Sequence, residues 1–297
     1  MKVNKSLIAL IVSMTVFGTV GIFSKQIPLP SGAIALSRAI IGMISLLIFS
    51  LAAKRRYDFE KIKKNLKLLV FSGIALGMNW MLFFLACRTT SVPTATLSYY
   101  LAPTFIVLLS FIIFGERLNK KQAVCVLLSL FGMVLASGVT TGVTDGVSLM
   151  GIAYGACAAA LYATVVILNK KMGDIDPIDK TTVQFLIAGV SLVPYVLASS
   201  DLTLDALSFD GVIYLLLIGI LHTGVCYVLY FGCVSRLKAS TVAVYSYIDP
   251  VVSIIVSTLI FSEPIDAFVL VGAVMILGSS SISEIDFSCL KSHKSKQ

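Results

Sequence analysis

Three ionisable side chains, Arg38, His222 and Asp249, lie inside long apolar stretches of this 297-residue chain. A charge held near the middle of a bilayer costs about 2.5–3.5 kcal/mol on insertion scales, so such residues face the interior of a helix bundle or water rather than lipid. At that depth desolvation favours the neutral form of a carboxylate and a nearby cation favours the charged form. Those opposing pulls suit Asp249 either to exchange a coupling proton or to hold a cationic group of a solute. Arg38 would then be its release partner, reaching inward by extending along its helix. His222 would serve as a relay or as a hydrogen-bond donor to the solute. The plainer alternative is a buried Arg38–Asp249 pair that only fastens two helices together.

Other residues could shape such a pathway. Asn79 and Trp80 lie at mid-span, and Tyr100, Tyr245 and Tyr247 are also deep. Buried aromatics usually pack, with their hydroxyls bonded to a neighbouring helix. The alternative is an aromatic wall for an apolar or cationic solute. Pro103 and Pro250 fall near the centres of their stretches, where each removes a backbone hydrogen bond. They are either simple kinks or hinges that expose a carbonyl to a central cavity. Glu116 and Glu263 end their helices on opposite faces of the membrane. They are either end anchors or gate contacts, one per side.

The elements that must position these residues follow from composition. Hydrophobic residues make up 58% of the chain, charged ones 13%, and mean hydropathy is +0.97. Soluble domains are about 25% charged. The composition excludes a soluble enzyme, a disordered chain and a nucleic-acid binder, and leaves an all-α integral membrane protein. A span needs roughly 20 apolar residues. Ten stretches qualify: 6–23, 32–53, 68–87, 92–114, 122–136, 147–168, 178–198, 211–235, 239–261 and 267–282. With the N-terminus in the cytoplasm, 20 of the 23 Lys and Arg fall inside, Lys25 and Arg88 outside, and Arg38 within the membrane. That division obeys the positive-inside rule and accounts for the net charge of +8 without an acidic partner. Both termini are then cytoplasmic, in the cell membrane.

The chain reads as doubled. A shift of 147 residues superposes Thr94 on Thr241, Tyr100 on Tyr247, Pro103 on Pro250 and Glu116 on Glu263. Five spans per copy force the two copies into opposite orientations, an inverted repeat of the kind that supports alternating access. The expected units are residues 1–140, residues 147–284 and a cytoplasmic tail, 285–297. Arg38, His222 and Asp249 have no counterpart in the other copy: the shift sets them against Phe185, Ala75 and Ala102. The scaffold repeats and these residues do not, which singles them out.

Tyr99-Tyr100-Leu101-Ala102-Pro103, leading to Phe114-Gly115-Glu116-Arg117-Leu118, resembles the repeat motif of EamA-type transporters of the drug/metabolite transporter superfamily. Tyr247-Ile248-Asp249-Pro250, leading to Phe261-Ser262-Glu263-Pro264, is similar, with Ser262 for the usual Gly and Pro264 for a basic residue. Arg38 also matches the family pattern. The resemblance implies ten helices, a central cavity and secondary transport of small organic solutes, with amino-acid and metabolite export common among bacterial members.

The motifs of other chemistries do not occur. There is no P-loop, no H-E-x-x-H and no G-x-S-x-G. Six Cys without a C-x-x-C, and two His, give no metal site. Asp174, Asp176 and Asp179 flank Pro177 and read as a turn. Gly73-x-x-x-Gly77 and Gly151-x-x-x-Gly155 mark close helix packing, within the chain or across a homodimer. The expectation is a cofactor-free exporter of an amino-acid-like or drug-like solute, driven by a gradient or by exchange, with H+ the candidate coupling ion. The alternatives are an importer or exchanger of the same superfamily, and a membrane-embedded lipid-modifying enzyme.

Overall fold

The computed structural model describes residues 5–114, 120–136, 148–172, 175–198, 208–234, 245–246, 248–261 and 267–284. Every described element is a helix. Six helical runs are long and apolar enough to cross a bilayer: Lys5–Gln26, Ser31–Ala52, Leu66–Thr89, Leu149–Lys171, Pro177–Ala198 and Phe209–Tyr230. Shorter apolar helices run Ala123–Leu135, Ile248–Ile260 and Ala267–Ser279. By length and composition this is a multi-pass membrane protein.

The helices that build the site are α1 (Lys5–Phe17), α2 (Val20–Gln26), α3 (Ser31–Ala52), α4 (Phe59–Lys64), α5 (Leu66–Thr89), α6 (Val92–Tyr99) and α7 (Ala102–Phe114). They continue with α8 (Lys120–Ala136), α9 (Leu149–Lys171), α10 (Pro177–Ala198), α11 (Phe209–Leu216), a π-helix (Leu217–Val225), α12 (Cys226–Val234), α13 (Ile248–Phe261) and α14 (Ala267–Glu284). Serine side chains open several of them. Ser91, Ser148 and Ser208 each accept the backbone N–H three residues on, at 3.2, 3.4 and 3.1 Å. That contact satisfies a donor that has no partner inside the helix.

Among the described residues three of the apolar stretches are interrupted, and each interruption lies at the site. The first breaks between α1 and α2 at Gly18 and Thr19. A side chain at Gly18 would run into the Asp249 carbonyl, so only glycine lets the two segments approach. The fourth breaks at Tyr100 and Leu101. Pro103 is therefore the second residue of α7 rather than a mid-helix kink. In a first turn the missing N–H costs nothing, because that N–H has no helical partner anyway. The eighth stretch widens into the π-helix between α11 and α12.

Both glycine pairs are used inside the chain. Gly73 and Gly77 press on Gln184, Ile187 and Ala188 of α10, and Gly151 and Gly155 on Thr89, Thr90, Ala95 and Ser98. Glycine at Gly42 lets α3 meet Thr223 and Phe185, while Gly219 and Gly224 accept Ile41 and Ser45. The π-helix is thereby clamped onto α3. The main core gathers Ala35, Ala39, Trp80, Phe84, Phe185 and Ile218 from α3, α5, α10 and the π-helix.

Candidate functional site

Arg38 points from α3 into the bundle and is only 5% exposed. Its Nε donates to Thr223 Oγ1 at 2.9 Å. Its guanidinium carbon lies 4.4 Å from the centre of the Trp80 ring and 5.8 Å from that of Phe84. The faces of these rings carry partial negative charge, and in a desolvated place such stacking stabilises a cation by about 2 kcal/mol. Trp80 meets Phe185 edge-on at 5.2 Å, and Phe185 meets Tyr227 at 5.4 Å. A second file of rings runs from Phe83 through Tyr99 to Tyr162, at 5.0 and 5.8 Å. Tyr162 is 37% accessible although it packs on Tyr99.

Asp249 of α13 is half-buried. It lies against the hydroxyl of Tyr100, which also donates to the Ser246 carbonyl at 3.3 Å. One carboxylate of the second half is thus met by a side chain of the first. Nearby, Thr96 of α6 and Ser253 of α13 share a hydrogen bond of 2.9 Å. Arg38 and Asp249 feel each other's charge but form no ion pair; among the described residues the ion pairs join Arg55 to Asp176 and Asp179, and Lys61 to Asp58.

His222 sits in the π-helix, fully buried. Its Nδ1 is 3.0 Å from the Leu217 carbonyl, which only accepts, so Nδ1 carries a proton. Its Nε2 is 2.9 Å from Thr19 Oγ1, and that hydroxyl is 2.8 Å from the Val16 carbonyl. Thr19 has one proton to give. When His222 is neutral, the hydroxyl donates to Nε2. When His222 is charged, Nε2–H donates to Thr19 and the hydroxyl turns to Val16. The break in the first stretch and the π-helix in the eighth therefore share one protonation-dependent contact.

Asn79 donates to the Ala158 carbonyl at 2.7 Å, and its Oδ1 is buried without a hydrogen-bond partner. The Tyr99 hydroxyl approaches Asn79 without completing that bond. The structure thus brings Arg38 and Trp80 into contact, sets Asn79 beside Tyr99, and sets Tyr100 on Asp249. His222 is turned towards Thr19 and away from Arg38, whose partner is the next residue, Thr223. Tyr247, Glu116 and Glu263 lie outside the described residues. Sequence reasoning gave no site role to Thr19, Tyr99, Tyr162, Phe185, Thr223 or Tyr227, which supply the wall and the second contacts.

The model of the EamA-like transporter family matches the chain twice, over residues 4–138 and 149–283. The chain belongs to that family. It is 29% identical over 285 residues to a Bacillus subtilis protein named an uncharacterized transporter, YxxF, covering 94% of this chain and 89% of that one. It is 26% identical over 222 residues to the protein RarD of Salmonella typhi, covering 74% of this chain and 73% of RarD. A solved crystal structure superposes with a TM-score of 0.67 at 16% identity, covering 97% of this chain and 98% of the other, which shows a shared fold. Family and relatives alike point to a transporter rather than an enzyme.

Proposed function

We propose that the chain is a secondary transporter that carries a small organic solute outward across a bacterial cytoplasmic membrane, coupled to protons or to exchange. In this reading it has ten spans, arranged as inverted repeats over residues 1–140 and 147–284, with both termini and the tail, 285–297, in the cytoplasm. The double family match and the charge division support that arrangement. Asp249, Arg38 and His222 form the solute and proton pathway with Tyr100, Tyr247, Trp80 and Asn79. Pro103 and Pro250 act as helix hinges, and Glu116 and Glu263 act as gates.

The observation that carries the reading is the meeting of the two halves at Asp249. Its carboxylate is enclosed yet accessible, and its hydroxyl partner, Tyr100, comes from the other half. A group shared by two halves changes its surroundings whenever they rock against each other. The test compares metabolite pools inside and outside cells carrying the protein or its Asp249→Asn variant. The variant is expected to reach the membrane but to lose gradient-driven efflux. Survival of solute exchange would assign the carboxylate to the proton, and loss of both would assign it to the solute. Normal efflux by the variant would overturn the reading.

A further inference from the structure

Arg38 has five N–H donors in a rigid fork, and one of them is used. Nε is held by Thr223, whose own hydroxyl proton goes to the Ile218 carbonyl at 2.8 Å. That fixes Thr223 as an acceptor and fixes the plane of the guanidinium. The two Nη nitrogens have no hydrogen-bond partner among the described residues, and they are not among the fully buried side-chain atoms that lack one, Ser31 Oγ and Asn79 Oδ1. Below the plane lies the Trp80 ring. The carboxylate that could neutralise the charge, Asp249, is turned to Tyr100.

A buried cation, anchored on one side and open at its fork, has no ion-pair partner among the described residues. We infer that the solute supplies it: Arg38 binds the carboxylate of the transported molecule through its two Nη groups, and the solute's apolar body lies along the rings that surround Trp80. This rests on the transport reading for the word "transported"; the binding site itself does not. The fork matches a carboxylate, which takes two parallel N–H bonds. A phosphate ester brings about 1.5–2 negative charges, more than one arginine neutralises beside Asp249. An amine would meet a like charge. Phe185 and Phe84 are fully buried, while Tyr99, Tyr227 and Tyr162 keep accessible edges, so the walls offered to the solute are mostly aromatic.

The chain carries its own reporter, because Trp80 is its single tryptophan. The experiment titrates purified full-length protein in nanodiscs and follows Trp80 fluorescence. The probes are phenylacetate, its neutral amide phenylacetamide, the cation phenethylamine, and benzylphosphonate. The expected result is a saturable change with phenylacetate, at least tenfold weaker with the other three. Arg38→Gln should abolish it, and Arg38→Lys, which keeps the charge and loses the fork, should weaken it at least tenfold. Equal binding of the amide, tighter binding of the phosphonate, or no saturable response to phenylacetate would overturn the proposal. Should Arg38→Gln fail to fold, Thr223→Val removes the anchor alone: weaker phenylacetate binding supports the site, and unchanged binding refutes it. Vesicle flux of phenylacetate separates the two claims. Binding without flux removes the transport reading and leaves the carboxylate site, whereas flux of other solutes with no carboxylate binding does the reverse.

Discussion

Where α3 ends and α10 begins, the two helices are joined by charge. Lys54 turns the chain with a left-handed backbone (φ 51°), and the Arg55 N–H closes the helix on the Ser50 carbonyl at 2.9 Å. Arg55 then reaches Asp176 at 2.6 Å and Asp179 at 3.4 Å. The Asp58 N–H donates to Asp179 at 3.1 Å, and the Tyr57 hydroxyl bonds Ser50 at 2.9 Å and Thr182 at 3.3 Å. Where α3 begins and α10 ends, the contact is apolar. Gly32 lies under the ring of Tyr195 beside Val196, Leu29 is buried, and the Ser31 hydroxyl is buried without a partner. A helix pair that alternately opens at its two ends would be released by different forces: water and protons at one end, loss of packing at the other. In the proposed orientation the charged end is the cytoplasmic one.

The largest expected effect breaks the charged end. Asp179 is 2% exposed and accepts from both Arg55 and the Asp58 backbone. Asp179→Ala leaves a partly buried backbone donor without an acceptor, a loss of about 1–3 kcal/mol. The apparent Tm in detergent should fall clearly; an unchanged Tm would make the two ends equivalent.

A smaller effect is written in pH. Burial works against ionisation of Asp176, but the hydrogen bond from Arg55, the Ile178 N–H and the charge of Arg55 outweigh it and hold the carboxyl below the usual carboxylate range. A carboxyl whose value is lower folded than unfolded contributes in full above the unfolded value, about 3.9, and loses its contribution as pH falls through the folded one. The Tm gap between the protein and its Asp176→Asn variant should stay constant from pH 7 to about 5 and close below about 4. A gap that closes near neutral pH would assign the dependence to another group. Asp176 is well exposed, so the gap is small.

The smallest effect belongs to the apolar end. A Cβ at Gly32 would come 2.6 Å from Tyr195 Cε1, but that ring is 51% exposed and free to swing aside. Gly32→Ala should change stability by less than about 0.5 kcal/mol. A large loss would show that this end is as tightly built as the other.

The sequence made one kind of information plain. Long apolar runs mark helices, and a charge within such a run marks the interior, which is how Arg38, His222 and Asp249 stand out. It could not show which partner each takes. Asp176 reads as a turn residue and is one, accepting the Ile178 N–H at 2.8 Å. Its second role depends on Arg55, more than a hundred residues away, and no local pattern encodes that pairing. Pro103 reads as a mid-helix kink because the apolar run continues through the break at Tyr100. Hydropathy is blind to a turn made of apolar residues. Thr223 gave no signal, since a threonine in an apolar run ordinarily bonds back to its own helix; here it does so and accepts from Arg38 as well.

The π-helix also sets angular phase. In an α-helix, residues five apart point about 140° away from each other. The wider coil winds less per residue, so residues five apart draw together on one side. His222 meets Thr19 and Phe23, and Tyr227, five residues on, meets Phe17: both face the broken first stretch. The one-residue excess works as an angular offset, aligning on a common partner two side chains that an unbroken helix would have aimed at different neighbours.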